Sequence, residues 1–229
     1  MQGFQGLLRT VRRGCFVLLA LLAIQLPVQA QDQTLPSEIR VGIPKTYLPI
    51  TGVNIVGEAS GLAIDLWRLW SEKTRVPVTF VAAPFGETLS MLRHDKIDVH
   101  AAMFRNSTRE AWLDFTRSFH ESTSGFYTLR SRKAFASIDA LTGKSVGVIR
   151  QSQQEDFLRY GGHTYHVKTF SGATEMLRAL VSEEVDALLH EDEAMDSLLR
   201  GAGVRGDVLR LPGDYLRSLG ATQIVAREE

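Results

Sequence analysis

The chain has 229 residues, with 26 basic and 26 acidic side chains, and it contains a single cysteine. One cysteine excludes a disulfide scaffold, so an ordinary hydrophobic core must stabilise the fold. The balanced charge gives no reason to expect nucleic acid or an anionic membrane as a partner.

Residues 1–30 have the features of a secretory signal peptide. Three arginines precede an apolar run from Cys15 to Leu26, and a small residue, Ala30, precedes the expected cleavage site. The run is shorter than the roughly 20 residues that span a bilayer; an uncleaved anchor is the alternative. We therefore predict export to the periplasm with cleavage after Ala30. Cleavage would leave 23 of the 26 basic residues, all 26 acidic residues and no cysteine.

Five segments in the first half of the remaining chain alternate between strand and helix. The strands are predicted from polar–apolar alternation or from β-branched residues, and the helices from apolar residues at helical spacing. The predicted order is strand Glu38–Ile43, helix Gly61–Trp70, strand Val76–Val81, helix Glu87–Arg93 and strand Ile97–Met103.

The same order recurs in the second half. Ser152 and Glu155 have the spacing of a capping box, which predicts a helix start directly after a strand. Ser171 is predicted to cap the next helix, and Gly201 to end the last one. The segments are strand Ser145–Ile149, a helix from Ser152, strand Tyr165–Phe170, helix Ser171–Leu180, strand Val185–Leu189 and helix Ala194–Arg200.

Two repeats of this order predict an α/β protein with two lobes. Each lobe should contain a mostly parallel sheet flanked by helices, with right-handed crossovers and a ligand cleft between the lobes. Leu219–Arg227 is predicted as a strand that returns to the first lobe. The predicted boundaries are 38–129 plus 217–229 for lobe 1 and 130–216 for lobe 2.

The stretch Asp98–Phe119 contains the first candidate site. An apolar strand ends at a polar turn, Asn106–Thr108, and Arg109 opens the next run. A guanidinium beside hydroxyl side chains at the end of a buried strand is suited to hold a carboxylate. The alternative is that Arg109 pairs with Asp114 or Glu110 on a solvated face.

Further candidates lie where predicted strands end. Tyr47, Phe85 and Phe104 are placed to stack on a ligand, although aromatic side chains at such positions also pack in ordinary cores. Ser152 lies at a helix N-terminus whose backbone N–H groups suit an anionic group. Glu191 opens an acidic run that is equally typical of a helix start stabilised by the dipole.

The sequence predicts neither a metal site nor a cofactor. His163 and His166 are three residues apart, but their loop-to-strand context gives them no shared helical face. The usual hydrolase, metalloprotease and nucleotide-binding motifs do not occur in the sequence.

Five motifs follow one another in an order that is typical of one protein family. They are Gly61–Leu66, Leu92–Asp98, Arg109–Phe119, Leu141–Val148 and Val185–Ala187. Together they resemble the family-three extracellular solute-binding proteins, which are amino-acid receptors of bacterial uptake systems with the type II periplasmic-binding fold. The resemblance covers nearly all of the chain after the predicted signal peptide.

The resemblance implies roles for several residues. Arg109 would clamp the α-carboxylate of the ligand, and Glu191, in place of the family's usual aspartate, would hold the α-ammonium; Asp192 is the alternative. Thr108 lies in the turn where the family has Thr-Pro-Glu. Ser152 lies where the family has Gly-Ser or Gly-Thr after a strand of the second lobe.

The resemblance also implies the ligand, the partners and two alternatives. The ligand would be a small amino-acid-like solute, and the protein a monomer that works with an inner-membrane transporter permease. Periplasmic sensor domains of kinases and cyclases resemble the chain too, which makes a signalling partner an alternative, and the chain stops before the terminal helices of family members. A dehydratase on the same scaffold is the second alternative, with Glu191 or Glu87 as the acid.

Overall fold

The computed structural model describes residues 36–132, 135, 137–162, 164–213, 215–219 and 222–226; for 217–219 and 222–226 the description is limited to the backbone. The predicted signal peptide and His163 lie outside these residues. Within them, no helix has the length and apolar character that crossing a membrane requires.

The described part of the chain alternates strands and helices. The helices are α1 (Leu62–Thr74), α2 (Phe85–Arg93), α3 (Ser107–Glu110), a 3-10 turn (Ile138–Leu141), α4 (Gln153–Tyr160), α5 (Ala173–Val181) and α6 (Asp192–Ala202). The strands are β1 (Ile39–Pro44), β2 (Thr46–Tyr47), β3 (Thr51–Val53), β4 (Ala59–Ser60), β5 (Val78–Ala83), β6 (Val99–Met103), β7 (Leu113–Phe115), β8 (Glu121–Leu129), β9 (Ser145–Ile149), β10 (His166–Phe170), β11 (Ala187–Glu191), β12 (Val208–Arg210), β13 (Leu216–Leu219) and β14 (Thr222–Ala226).

The start of α1 depends on a glycine. Gly61 has a φ of 124°, and a Cβ atom there would lie 2.6 Å from the carbonyl oxygen of Ile50. Only glycine adopts this conformation without strain, so the turn before α1 is fixed by the sequence. The helix then buries Ala63, Ile64 and Trp67 against the first sheet.

The first sheet has the strand order β5-β1-β6-β14-β7. Strands β5, β1 and β6 are parallel, with Val41 opposite Phe80 on one side and Val99 on the other. Strand β14 enters antiparallel between β6 and β7. The three parallel strands therefore end at the same edge, where loops can converge on a ligand.

The second sheet repeats this arrangement with the order β10-β9-β11-β8-β12. Strands β10, β9 and β11 are parallel and have the same second–first–third order as β5, β1 and β6. Strand β8 runs antiparallel to β11, β12 and β13. The prediction of two α/β lobes is confirmed, but both sheets are mixed rather than mostly parallel.

Both faces of the second sheet are covered. On β11, Ala187 and Leu189 belong to one buried cluster and Leu188 to another. Successive strand residues point to opposite faces, so an uninterrupted apolar run means that neither face meets water. The first sheet likewise contributes to two apolar clusters, one around Trp67 and one around Leu92.

Some predicted boundaries differ from the structure. Ser171 does not cap α5, because Gly172 takes the N-cap position while the Ser171 hydroxyl donates to Glu175. Gly201 lies inside α6, and the helix is terminated by Gly203, the C-cap residue, with a φ of 71°. Strand β8 was not predicted at all.

The lobe boundaries stay a prediction. The predicted boundary at residues 129 and 130 places Glu121–Leu129 in the first lobe, yet its backbone pairs in the second sheet. Leu216–Leu219 also pairs there, next to β8, whereas β14 pairs in the first sheet. The chain thus passes between the sheets after β7 and again after β13.

A buried histidine makes the fold sensitive to acid. His100 on β6 is 0% exposed, and its Nε2 lies 3.0 Å from Thr88 Oγ1. Burial, followed by repulsion from Arg109, lowers the pKa of His100 from 6.5 to about 3. As pH falls, the unfolded chain takes up this proton first, so the stabilisation is complete above pH 6.5 and is lost progressively towards pH 3.

We expect the free energy of unfolding to fall by up to about 1.4 kcal/mol per pH unit through this group. Urea unfolding at about pH 7 and about pH 5.5 should therefore show a smaller difference for His100→Gln than for the wild type. The exposed His94 is the matched control, and His94→Gln should keep the wild-type difference. An unchanged pH dependence in His100→Gln would contradict the assignment.

Candidate functional site

Arg109 is held in place by the turn after β6. Asn106 caps α3, and its Oδ1 accepts a hydrogen bond from the Arg109 backbone N–H at 2.8 Å. The guanidinium then folds back, so that Nη1 donates to the Phe104 carbonyl oxygen at 2.7 Å and Nη2 to the Gln151 carbonyl oxygen at 2.9 Å. The Arg109 side chain therefore bonds to the backbone of both lobes.

The guanidinium of Arg109 is nearly dry. The residue is 6% exposed, and burial lowers its pKa to about 10, with Asp156 and Glu191 acting in the opposite direction. The group stays charged at neutral pH. Two of its five N–H donors are used in the carbonyl bonds, and the Phe85 ring lies 5.4 Å from its central carbon. Such a cation strongly favours an anionic ligand group beside it.

Arg109 does not form the surface ion pair with Glu110 that the sequence left open. That carboxylate lies 3.3 Å from Arg105, whose guanidinium also stacks over Phe115.

Glu191 faces the same cavity from the end of β11. It is 6% exposed, and its Oε2 lies 2.7 Å from His190 Nδ1. Burial alone would raise the pKa of Glu191, but the attraction and hydrogen bond from His190, together with bonds from its own backbone and from Gln154, lower it below its ordinary value. Gln154 in turn donates to the Ser124 hydroxyl at 2.9 Å. A buried, ionised carboxylate is therefore available opposite Arg109.

The other two residues of the acidic run are engaged elsewhere. Asp192 accepts two hydrogen bonds from Arg210, at 2.7 and 2.9 Å, and one from the Tyr127 hydroxyl. Glu193 lies 3.1 Å from His120 Nε2 and 3.0 Å from Ser122 Oγ. Neither residue lines the cavity, so the alternative that Asp192 takes the place of Glu191 is not supported by the geometry.

Ser152 caps α4 as predicted. Its Oγ accepts from the Glu155 backbone N–H at 3.1 Å. The capping box is displaced by one residue, because the Glu155 carboxylate accepts from Gln151 N rather than from Ser152 N. The helix start lies beside Arg109, which places backbone N–H groups close to the guanidinium.

The cavity brings most of the predicted residues together. The volume of the cavity is about 60 Å³. On the same scale, a single buried water molecule needs roughly 10–15 Å³. Six of the seven predicted residues line it: Tyr47, Phe85, Phe104, Arg109, Ser152 and Glu191. Thr108 does not, because it lies exposed on the outer side of α3 while Asn106 takes the capping position. The candidate acid Glu87 is likewise exposed on α2 and does not line the cavity.

Sequence reasoning missed several lining residues. Thr46, Gln154 and His190 face the cavity along with Pro44, Ala102, Met103, Ile149, Gln153 and Ser171. The position of His190 directly before Glu191 was the one available signal. Among the residues that the structure describes, no cluster of histidine, cysteine or acidic side chains is placed to hold a metal ion.

Contacts between the lobes surround the cavity. Thr46 Oγ1 accepts from the backbone N–H of Ala173 at 3.3 Å, and Asn106 Nδ2 lies 3.4 Å from Asp156 Oδ2. At Gly86, a Cβ atom would lie 2.4 Å from the side-chain oxygen of Gln151. The lobes therefore meet closely on either side of Arg109.

The sequence profile of the bacterial extracellular solute-binding proteins, family 3, matches residues 39–200. A histidine-binding periplasmic protein of Escherichia coli (strain K12) is 24% identical over 163 residues, or 70% of this chain and 63% of that protein. A lysine/arginine/ornithine-binding periplasmic protein of the same strain is 26% identical with the same coverage. The chain thus spans 63% of the length of these relatives.

The fold also has solved counterparts. A histidine kinase sensor domain with similarity to periplasmic binding proteins superposes with a TM-score of 0.77 at 18% identity, over 83% of this chain and 82% of that one. At this identity the likeness concerns the fold.

The Asn106 cap should contribute measurably to stability. Replacing a capping side chain with alanine removes the acceptor for the Arg109 N–H, so Asn106→Ala should lower the free energy of unfolding by about 1 kcal/mol. Asn106→Ser keeps a capping oxygen and should recover most of it. The substitution Thr108→Ala, at an exposed position two residues further on, should stay within about 0.5 kcal/mol of the wild type. Equal effects of Asn106→Ala and Thr108→Ala in urea unfolding would refute the capping role.

Proposed function

Because the chain belongs to the bacterial extracellular solute-binding proteins of family 3, we propose that it captures an amino acid or a similar small polar solute between its two lobes. The observation that carries the proposal is the buried Arg109 guanidinium in the cleft, bonded to Phe104 of one lobe and Gln151 of the other. A carboxylate at this point would contact both lobes through one cation.

Arg109 is proposed to bind the carboxylate. A desolvated guanidinium forms strong, charge-assisted hydrogen bonds with a carboxylate, whereas an exposed pair would contribute little. The α4 N-terminus at Ser152 adds backbone donors on the same side. Phe85 and Phe104 close the apolar wall of the cleft, and Thr108 is left without a role in it.

Glu191 is proposed to bind the ligand's ammonium group. It is buried and ionised, and it attracts Arg109 across the cavity, so the two charges suit a zwitterion. The relatives named for binding histidine and for binding lysine, arginine and ornithine support an α-amino acid as the ligand class.

The proposed setting follows from the family. We place the protein in the periplasm as a monomer that delivers its solute to an inner-membrane transporter permease, after removal of residues 1–30. Because the fold resembles that of a sensor domain, the alternative is that the same ligand-binding step acts on a signalling partner in place of a permease. Lobe 1 is proposed to comprise 38–129 plus 217–229, and lobe 2 130–216, with β8 bonded to the second sheet.

Arg109→Ala should weaken binding of the best amino-acid ligand by about 100-fold or more, because removing one partner of a buried charge pair costs about 2–5 kcal/mol. Arg109→Lys keeps the charge without the planar fork and should give an intermediate loss. Titration calorimetry would follow a thermal-shift screen of the standard L-amino acids, since a ligand bound only by the folded state raises its apparent stability.

Arg105→Ala is the matched control for this experiment. Arg105 is four residues away, pairs with Glu110 and does not line the cavity, so its affinity should stay within about two-fold of the wild type. Equal affinities for wild type and Arg109→Ala would reject Arg109 as the carboxylate clamp.

We propose binding without catalysis. Of the two candidate acids of a dehydratase, Glu87 lies outside the cavity and Glu191 is ionised and bonded to His190, which does not suit proton donation. Prolonged incubation of arogenate or prephenate with the purified protein should therefore leave both compounds unchanged by mass spectrometry. Turnover that is lost in Glu191→Gln would favour the enzyme instead.

A further inference from the structure

Few of the groups that line the cavity carry charge. Among the lining residues that the structure describes, Glu191 is the one side chain that is negative at neutral pH. The Tyr47 hydroxyl is the other acidic group of this set, but burial, followed by the charges of Glu191 and Glu193, raises its pKa well above the ordinary value and keeps it neutral. The cavity therefore offers a ligand one anion.

Three neighbouring carboxylates lie outside the cavity. Asp192 and Glu193 are bonded to Arg210 and His120, and Asp156 is exposed on α4. None of the three lines the cavity. If Glu191 binds the ligand's α-ammonium group, a second positive charge on the ligand would meet no further anion among the described lining side chains.

The cations around the cavity are also engaged. Of the lining residues in the described part of the chain, Arg109 and His190 are the two that can be positive. Arg109 is proposed to hold the α-carboxylate, and His190 Nδ1 lies 2.7 Å from Glu191 Oε2. A second carboxylate on the ligand would therefore have to compete with Glu191 or with the ligand's own α-carboxylate for a partner.

The remaining walls of the cavity are uncharged. Apolar side chains come from both lobes, with Pro44, Ala102 and Met103 in the first and Ile149 in the second. Taking a charge from water into such surroundings without a partner is strongly unfavourable, whereas an uncharged side chain gains from contact with apolar walls. The walls thus favour ligands whose side chain has no charge.

The space for a ligand side chain is small. The cavity volume of about 60 Å³ gives room for roughly four to six water molecules, since one needs roughly 10–15 Å³. Thr46 approaches Ala173 and Gly86 approaches Gln151 across the cleft, so the lobes meet on either side of the site. These contacts restrict the room in which a long side chain could carry a charged end out to water.

We propose that the cavity selects amino acids with a short, uncharged side chain. The inference rests on the proposed function, which assigns Arg109 and Glu191 to the two α-groups, and it deepens that function by naming the ligand class. The α-carboxylate and the α-ammonium group then balance the charges of Arg109 and Glu191. A side chain with a charge of its own would leave this balance and remain unpaired in the cleft.

The first test compares ligands of the same shape that differ in side-chain charge. One pair is norvaline and α,γ-diaminobutyrate, in which an ammonium group replaces the terminal methyl group; the other is asparagine and aspartate. In competition calorimetry at neutral pH, the uncharged member of each pair should bind about 100-fold more tightly or more, because the charged member buries an unpaired charge. Tryptophan, which is uncharged but large, should bind about 10-fold more weakly than norvaline or worse.

The second test adds an anion to the cavity. Gln153 lines it at the first position of α4, where a glutamate of the same shape suits the helix dipole, so Gln153→Glu should fold. This variant should reduce the preference for norvaline over α,γ-diaminobutyrate by about 10-fold or more. Thr108→Glu is the matched control: it adds the same charge at an exposed position outside the cavity and should change the preference by about two-fold or less.

The outcomes distinguish the inference from the function on which it rests. If no amino acid binds to the wild type in calorimetry or in the thermal-shift screen, both are overturned. If amino acids bind but the best ligand has a charged side chain, or tryptophan matches norvaline, the proposed selectivity is wrong and the solute-binding proposal stands. Equal shifts in Gln153→Glu and Thr108→Glu would also overturn the selectivity, since the lining charge would not determine it.

Discussion

The cation buried at Arg109 is the constraint on which the rest of the cleft depends. Burying a charge requires other groups to replace the water that it loses. Here the carbonyl oxygens of Phe104 and Gln151 supply part of that replacement, the Phe85 ring another part, and Glu191 the opposite charge. Because the two carbonyls follow strands of different sheets, β6 and β9, the side chain that places a cation in the cleft also bonds the lobes to each other.

The three acidic residues at the junction of β11 and α6 make different contacts, because the backbone changes there from strand to helix. Glu191 is the last residue of β11 and points into the cleft, whereas Asp192 and Glu193 lie in the first helical turn. The change from extended to helical backbone turns the next two side chains towards Arg210 and His120. Of the three neighbouring carboxylates, one thus lines the cavity and two bond α6 to β8, β12 and the segment before β8.

Local sequence signals predicted what depends on local physics. The parallel strands, the helix cap at Ser152 and the position of Arg109 after β6 follow from periodicity and capping chemistry, and the structure has them. Strand β8 was missed because it is defined by antiparallel pairing with β11, β12 and β13, which are distant in sequence. Gln154 and His190 were missed because their roles arise only when α4 and β11 face the first lobe. Thr108 was misplaced because Asn106 is the better helix cap, which turns the threonine outwards.

Gly86 has a consequence that reaches beyond packing. The space where its side chain would lie is occupied by the end of Gln151 from the opposite lobe. Alanine could be accepted if Gln151 swings aside, but a longer side chain would act as a wedge and shift the population towards a more open arrangement. If the protein closes around a solute as proposed, such a shift would lower the apparent affinity for every ligand by the same factor, since only the closed population would bind tightly. Variation at this one position would then change the concentration range of the proposed solute binding without altering a residue that lines the cavity.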